Sequence, residues 1–203
     1  MTDGHYFSTA PSGPLRERRI PVSLAGREFE AITAGGVFSP DHVDAGTRVL
    51  LDTAPPPPPA GDLLDLGCGW GPVALTLALS SAEATVWAVD VNERALELTR
   101  RNAAELGLTG VNAVPPDGVP NGVAFSAIWS NPPIRIGKAE LHALLSRWLP
   151  RLAPDGHAWL VVQKNLGADS LHRWLDTEFA PELSVTRAGS SKGFRVLDVH
   201  RRP

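Results

Sequence analysis

The chain has 203 residues, of which 43% are hydrophobic and 20% charged, with a formal net charge of −3. That length supports one substantial core and one domain, and the balance is that of an ordinary globular protein. An acidic total argues against nucleic-acid binding by bulk electrostatics and leaves room only for a local basic patch.

Cys68 is the single cysteine, which excludes an internal disulfide and a thiolate metal cluster. The histidines are scattered, without the spacing of a helical zinc site, so no metal is expected. The longest apolar stretch, near Val73 to Leu79, is far short of a membrane span, and Met1 to Pro14 lacks a basic-then-apolar signal pattern. The expected location is the cytoplasm, with no membrane contact.

Met1 to Pro14 reads as a loose terminus rich in Gly, Pro, Ser and Thr. Two short alternating runs, 19–24 and 28–32, flank Ala25-Gly26 and predict a hairpin. The turn at 33–40 carries Phe38, which either anchors the hairpin in the core or covers a nearby ligand. A helix over 44–52 stops at the five prolines 55–59, a stiff extended spacer. The spacer suggests a division into an N-terminal hairpin and helix appendage (1–54) and a main domain (55–203), together one compact unit.

The main domain alternates strand and helix. Strands are predicted at 62–66, 85–89, 111–114, 125–130 and 156–162, with helices at 72–79, 93–106 and 138–152. A helix at 170–179 and strands at 183–187 and 194–200 follow. This β-α-β order predicts an α/β doubly wound fold: a seven-stranded, mostly parallel sheet with helices on both faces. The short link 189–193 reads as a hairpin, which makes the last strand antiparallel. In such sheets ligands sit at the carboxyl ends of the strands.

Three strand ends carry candidate chemistry. At the first, Asp65-Leu66-Gly67-Cys68-Gly69-Trp70-Gly71 runs into a helix. Proline at 72 departs from a nicotinamide fingerprint, and a Gly-Lys-Ser/Thr phosphate loop is absent. What remains is Asp-x-Gly-x-Gly-x-Gly, in which the glycines let a ligand approach the backbone and the acid can hold an amine directly or through water. That suits S-adenosylmethionine, which carries an ammonium and a sulfonium. At the second strand end, Asp90 beside Val91 can accept from both ribose hydroxyls, because Asn92 is the better cap for the next helix. Asp117-Gly118 is either an acceptor for the adenine amine or a plain turn.

Asn131-Pro132-Pro133-Ile134 follows the fourth strand. Each proline fixes φ and removes a donor, leaving bare carbonyls that can only accept. The Asn131 side-chain oxygen and the Pro132 carbonyl can then take both hydrogens of a planar amine and aim its lone pair at an electrophile. Alone, an Asn-Pro dipeptide is ordinarily a surface turn; the glycine motif upstream raises the functional reading.

With Gly36-Val37-Phe38-Ser39, Asp44, Gly46-Thr47, Gln163-Lys164-Asn165 and Lys192-Gly193, these motifs extend over residues 37–199. In that span the sequence resembles the class I S-adenosylmethionine-dependent methyltransferases, and within them the small-domain ribosomal RNA guanine-N2 methyltransferases. The resemblance implies a Rossmann-like fold, S-adenosylmethionine as cofactor with S-adenosylhomocysteine as product, and rRNA or a ribosomal subunit as partner in rRNA processing. It implies catalytic roles for Asn131, Pro132, Pro133 and Ile134. Cofactor contacts are implied for Asp65, Gly67, Cys68, Gly69, Asp90, Val91, Asp117 and Asn131, and substrate contacts for Phe38, Arg135, Lys138 and Lys164. Two features depart from the group: Ile134 stands where an aromatic often follows the two prolines, and a hairpin and helix stand where those enzymes carry a second, degenerate domain. The alternatives are methylation of another planar amine, in a metabolite, adenine or a protein glutamine, and a cofactor-binding scaffold without catalysis.

Overall fold

A computed structural model describes residues 16–133 and 136–203. The calls on Ile134 and Arg135 lie outside the described residues.

Strands β1 (Glu17–Leu24) and β2 (Arg27–Ala34) form the expected antiparallel hairpin. Ala25 and Gly26 both take positive φ, as a two-residue turn matched to strand twist requires. Helix α1 (Ala45–Thr53) begins at Asp44, whose carboxylate accepts from the amides of Gly46 and Thr47. The βα alternation follows through β3 (Ala60–Leu66), α2 (Pro72–Ser80), β4 (Glu83–Val89), α3 (Glu93–Glu105), β5 (Val111–Val114) and β6 (Phe125–Ser130). Then come α4 (Lys138–Trp148), β7 (Leu152–Gln163), α5 (Ala168–Glu178), β8 (Leu183–Ser191) and β9 (Phe194–Arg201).

The seven strands run in the order β5-β4-β3-β6-β7-β9-β8. Only β9 opposes its neighbours, being antiparallel to β7 and β8. The doubly wound α/β architecture expected from the alternation, a mostly parallel seven-stranded sheet, is the observed one.

Strand alternation sends side chains to two cores. Leu63, Val86, Ala127, Val161 and Val196 pack with Val49 and Leu50 of α1, Val73 and Leu77 of α2, and Leu96 of α3. Leu64, Leu66, Ile128, Leu160 and Leu197 pack on the other face with Leu145 and Trp148 of α4 and Leu171 and Leu175 of α5. The neighbours Leu63 and Leu64 thus serve opposite faces, the period of two expected of a strand buried on both sides.

Several boundaries differ from the sequence expectation, two of them for a clear local reason, and the strand expected at 156–162 runs over Leu152–Gln163. The helix predicted to reach 152 ends at Trp148 and tightens into a 3-10 turn over Leu149–Arg151. Pro150 has no amide to donate, and its ring would meet the carbonyl four residues back. The last hairpin turns on Lys192-Gly193 alone, with φ of 48° and 82°, so Ser190 and Ser191 still pair with Arg195 and Phe194. No helix among the described residues is long and apolar enough to cross a membrane.

The β1–β2 hairpin is fixed to the main body by a buried amide. Asn102 of α3 accepts from the Ile32 amide at 2.7 Å and donates to the carbonyls of Ile32 and Trp70 at 3.0 and 2.9 Å, acting as a strand partner for β2. The loop after β2 is pinned by Asn92 Nδ2 to Gly36 O at 2.8 Å, Arg94 to Gly35 O at 2.6 Å and Trp70 Nε1 to Ser39 O at 3.1 Å. These bonds hold Phe38 above the carboxyl ends of the strands.

Candidate active site

A cavity of about 300 Å³ opens at the carboxyl ends of the parallel strands. Its floor is the end of β3 with the loop that follows, and one wall is the end of β4 and the start of α3. The opposite wall comes from the loops after β6 and β7, and Phe38 and Asp44 cover it from the N-terminal side.

On the glycine side, the amides of Gly67 and Cys68 both donate to the Val89 carbonyl, at 2.8 and 3.0 Å, tying the loop to β4. Gly67 and Gly69 have φ of 84° and 56°, conformations that favour glycine, and a Cβ on either would meet no protein atom within 4 Å. Both line the cavity, so side chains there would fill it. Asp90 closes this wall: one carboxylate oxygen accepts from the Gly69 amide at 3.0 Å, the other from the Asn92 amide at 2.9 Å. Each oxygen keeps further acceptor capacity. Burial raises the Asp90 carboxyl above its usual range, opposed by the amides of Asn92, Gly69 and Val91. Asn92 is the observed cap of α3, accepting from the Arg94 amide at 3.0 Å. Val91 is 42% exposed and lines the cavity.

Asp65 and Cys68 stand behind this wall. Asp65 is 1% exposed, and its carboxylate accepts from the Ala74 amide at 2.8 Å in the first turn of α2. Burial pushes it up to about 8. Burial also pushes the Cys68 thiol up, and its sulfur lies 3.7 Å from the Thr99 hydroxyl. Both residues border a side pocket of about 20 Å³ shared with Asp44 and Asn131, a volume that suits about one water molecule.

The proline loop forms the other wall. Asn131 Nδ2 donates to Asp44 Oδ2 at 2.9 Å and to the Thr47 hydroxyl at 3.1 Å. An ionised carboxylate only accepts, so this pairing fixes the amide's orientation and leaves the Asn131 carbonyl oxygen without a partner among the described residues. The Pro133 carbonyl is taken by the Ile136 amide at 3.2 Å. The Pro132 carbonyl carries no hydrogen bond among the described residues, so Pro132 and Asn131 each offer an open acceptor there. Ser130 ties the loop's base to the end of β3 by donating to the Leu66 carbonyl at 2.7 Å.

Other expected residues fall outside the lining. Asp117 is 93% exposed and paired with Arg147 at 2.7 Å; its neighbour Pro116 lines the cavity instead. Lys138, the first residue of α4, and Lys164, in the 3-10 turn after β7, are exposed beside the opening. Asp44, Gln163, Leu166, Leu144 and Phe194 line the cavity without having been expected there. Asp44 and Gln163 lie in stretches that carried the family resemblance; Leu144 and Phe194 gave no signal, because tertiary packing alone brings them to the site.

The comparisons with known proteins decide the class. The family model described as methyltransferase small domain matches residues 28–198. The chain belongs to the methyltransferase small-domain family. It is an S-adenosylmethionine-dependent methyltransferase, as the resemblance implied. It is 37% identical to the uncharacterised protein YbxB of Bacillus subtilis, over 95% of this chain and 96% of that one. It is 35% identical to ribosomal RNA small subunit methyltransferase C of Pseudomonas aeruginosa, over 91% of this chain and 54% of the relative. The T. thermophilus 16S rRNA N2 methyltransferase RsmC, solved with AdoMet and guanosine, superposes with a TM-score of 0.80 at 24% identity, over 93% of this chain and 52% of that one. The chain thus spans nearly all of YbxB and about half the length of these rRNA methyltransferases.

Proposed function

We propose that this protein methylates the exocyclic amine of guanine in ribosomal RNA, as a cytoplasmic enzyme. The observation that carries the reading is the orientation of Asn131. Asp44 and Thr47 take its two amide hydrogens, so the oxygen is the group it can present to a substrate amine. The Pro132 carbonyl, without a hydrogen bond among the described residues, adds a second acceptor, a pair that matches an NH₂ group. The rRNA activity of the relatives that span this chain supports the choice of substrate.

The cavity fits the cofactor by its donor set. Open space beside Gly67 and Gly69 admits a ligand against the backbone, Asp90 offers a carboxylate to ribose hydroxyls, and Val91 gives an apolar face for adenine. Asp65 acts on the ligand's ammonium through water in the side pocket. When bound, S-adenosylmethionine supplies a methyl group on a sulfonium and departs as S-adenosylhomocysteine.

Asn131 and Pro132 hold the amine by its hydrogens, which turns the nitrogen lone pair away from the ring and toward the glycine wall. Pro133 packs on the base, with Phe38 across the opening. The amine held by Asn131 and Pro132 would receive the methyl group, and its surplus proton would leave to solvent, so no general base is required before attack. Positioning of this kind contributes roughly 7 to 11 kcal/mol when reacting atoms are held about 3 to 3.5 Å apart.

The test is incubation with radiolabelled S-adenosylmethionine and RNA lacking base methylation, followed by digestion to nucleosides. Label in N2-methylguanosine is the expected result. Label in another nucleoside, or none in RNA while the cofactor binds, would overturn the guanine reading.

A further inference from the structure

The rim of the cavity gathers two kinds of exposed side chain. Among the described residues, the exposed large apolar side chains are Phe38 (41%), Val91 (42%) and Leu166 (44%), and all three line the cavity. Lysine occurs at 138, 164 and 192 and nowhere else in the chain. All three lysines are exposed at the carboxyl-end side of the sheet: Lys138 opens α4 after the proline loop, Lys164 lies between the lining residues Gln163 and Leu166, and Lys192 forms the tip of the β8–β9 hairpin.

The hairpin tip is held in place. The Lys164 amide donates to the Gly193 carbonyl at 2.8 Å, which ties the tip to the end of β7. With strands about 4.8 Å apart, the rim from the end of β6 to the tip spans roughly 10 to 15 Å. Lys192 has φ of 48°, where glycine or asparagine is the ordinary choice. Among the described residues no lysine has an ion-pair partner, whereas Arg18, Arg19, Arg101, Arg147 and Arg187 are each paired with a carboxylate. Of the acids near the rim, Asp169 is held between Arg187 and Arg195 and Asp117 by Arg147; Glu140 lies on the first turn of α4 with Lys138.

We propose that this rim docks a single-stranded segment of RNA, with the target base entering between Phe38 and Leu166 and the flanking phosphates lying on Lys138, Lys164 and Lys192. The inference rests on the base-methylation reading and extends it from the base to its carrier. A free nucleoside would fit within the cavity and carry no phosphates to the rim. A duplex keeps its bases stacked and out of reach. A single strand offers both an exposed base face and a continuous anion, which an aromatic-plus-cation rim matches. Phe38 also supplies an aromatic face in a chain whose proline loop ends in isoleucine.

The experiment is binding of a short unstructured RNA with a central guanosine to the full chain, with S-adenosylhomocysteine present, across a salt series. Each of Lys138→Gln, Lys164→Gln and Lys192→Gln flattens the dependence of log K on log salt by about 0.7, the increment for one single-strand phosphate. Phe38→Ala weakens binding on the order of ten-fold with the slope unchanged. The rim is overturned by unchanged slopes in all three lysine variants, by equal affinity for a fully paired duplex, or by free guanosine serving as substrate as well as the oligonucleotide does. Absence of RNA binding and methylation in the unaltered protein would instead overturn the base-methylation reading itself.

Discussion

The two walls of the cavity are built by different means. The wall at the ends of β3 and β4 is mostly backbone: positive-φ glycines, amides donated to Val89, and one acid held by the amides of Gly69 and Asn92. Its residues lie within one stretch of sequence, 65–92. The wall after β6 is assembled from side chains far apart in the chain, with Asn131 fixed by Asp44 and Thr47. A backbone wall fixes the shape of the cavity and, in this reading, leaves its binding chemistry to Asp90. A side-chain wall gives chemical direction and depends on each partner. In our reading the first binds the cofactor and the second aligns the substrate, and the two should fail separately.

The largest separation is expected from Asp90→Ala. It removes the carboxylate proposed for the ribose hydroxyls, where a hydrogen bond to a charged group contributes about 1.5 to 3 kcal/mol. The dissociation constant for S-adenosylmethionine, read by calorimetry, should rise on the order of 100-fold, with kcat at saturating cofactor much less affected. A comparable fall in kcat would merge the two walls.

The next effect is on stability. Asp65 is pushed up to about 8 from an ordinary 3.8 by burial. Between those values the folded chain keeps a proton that the unfolded chain releases, so stability falls as pH rises from about 4 to about 8. Asp65→Asn retains an oxygen for the Ala74 amide and removes the titration. Between pH 5 and pH 8 the unaltered protein should lose several degrees of Tm relative to the variant; parallel Tm profiles would contradict the buried acid.

These predictions mark how far the sequence could be read. The glycine wall was legible because its chemistry is local: Gly67, Gly69 and Asp90 sit where a βα unit must turn, and Asn92 announces the cap of α3. The alternation of strands and helices also gave the sheet and its one antiparallel strand. Asp44 was legible as a helix start and as part of the family resemblance but not as the partner of Asn131, because capping α1 and orienting Asn131 are two uses of one carboxylate and only the first has a local signature. Asp117 followed a local turn that its ion pair with Arg147 directs outward. Phe194 reaches the site through the pairing of β9 with β7, a long-range register that no short pattern encodes.

The smallest effect is expected from Asp44→Asn. Asparagine can still cap α1, but it accepts and donates, so the Asn131 amide loses the bias that keeps its oxygen toward the substrate. Losing one charge-assisted bond of about 1.5 kcal/mol should lower kcat roughly ten-fold, with cofactor affinity and Tm near those of the unaltered protein. An unchanged kcat would remove Asp44 from the alignment.

The central claim, that Asn131 aligns the amine and does not hold the cofactor, is tested most directly by Asn131→Ala. Single-turnover methylation and equilibrium binding of S-adenosylmethionine would be measured on the same preparation. We predict binding within about two-fold of the unaltered protein and a turnover rate lower on the order of 100-fold or more. An equal loss of binding and turnover would contradict it.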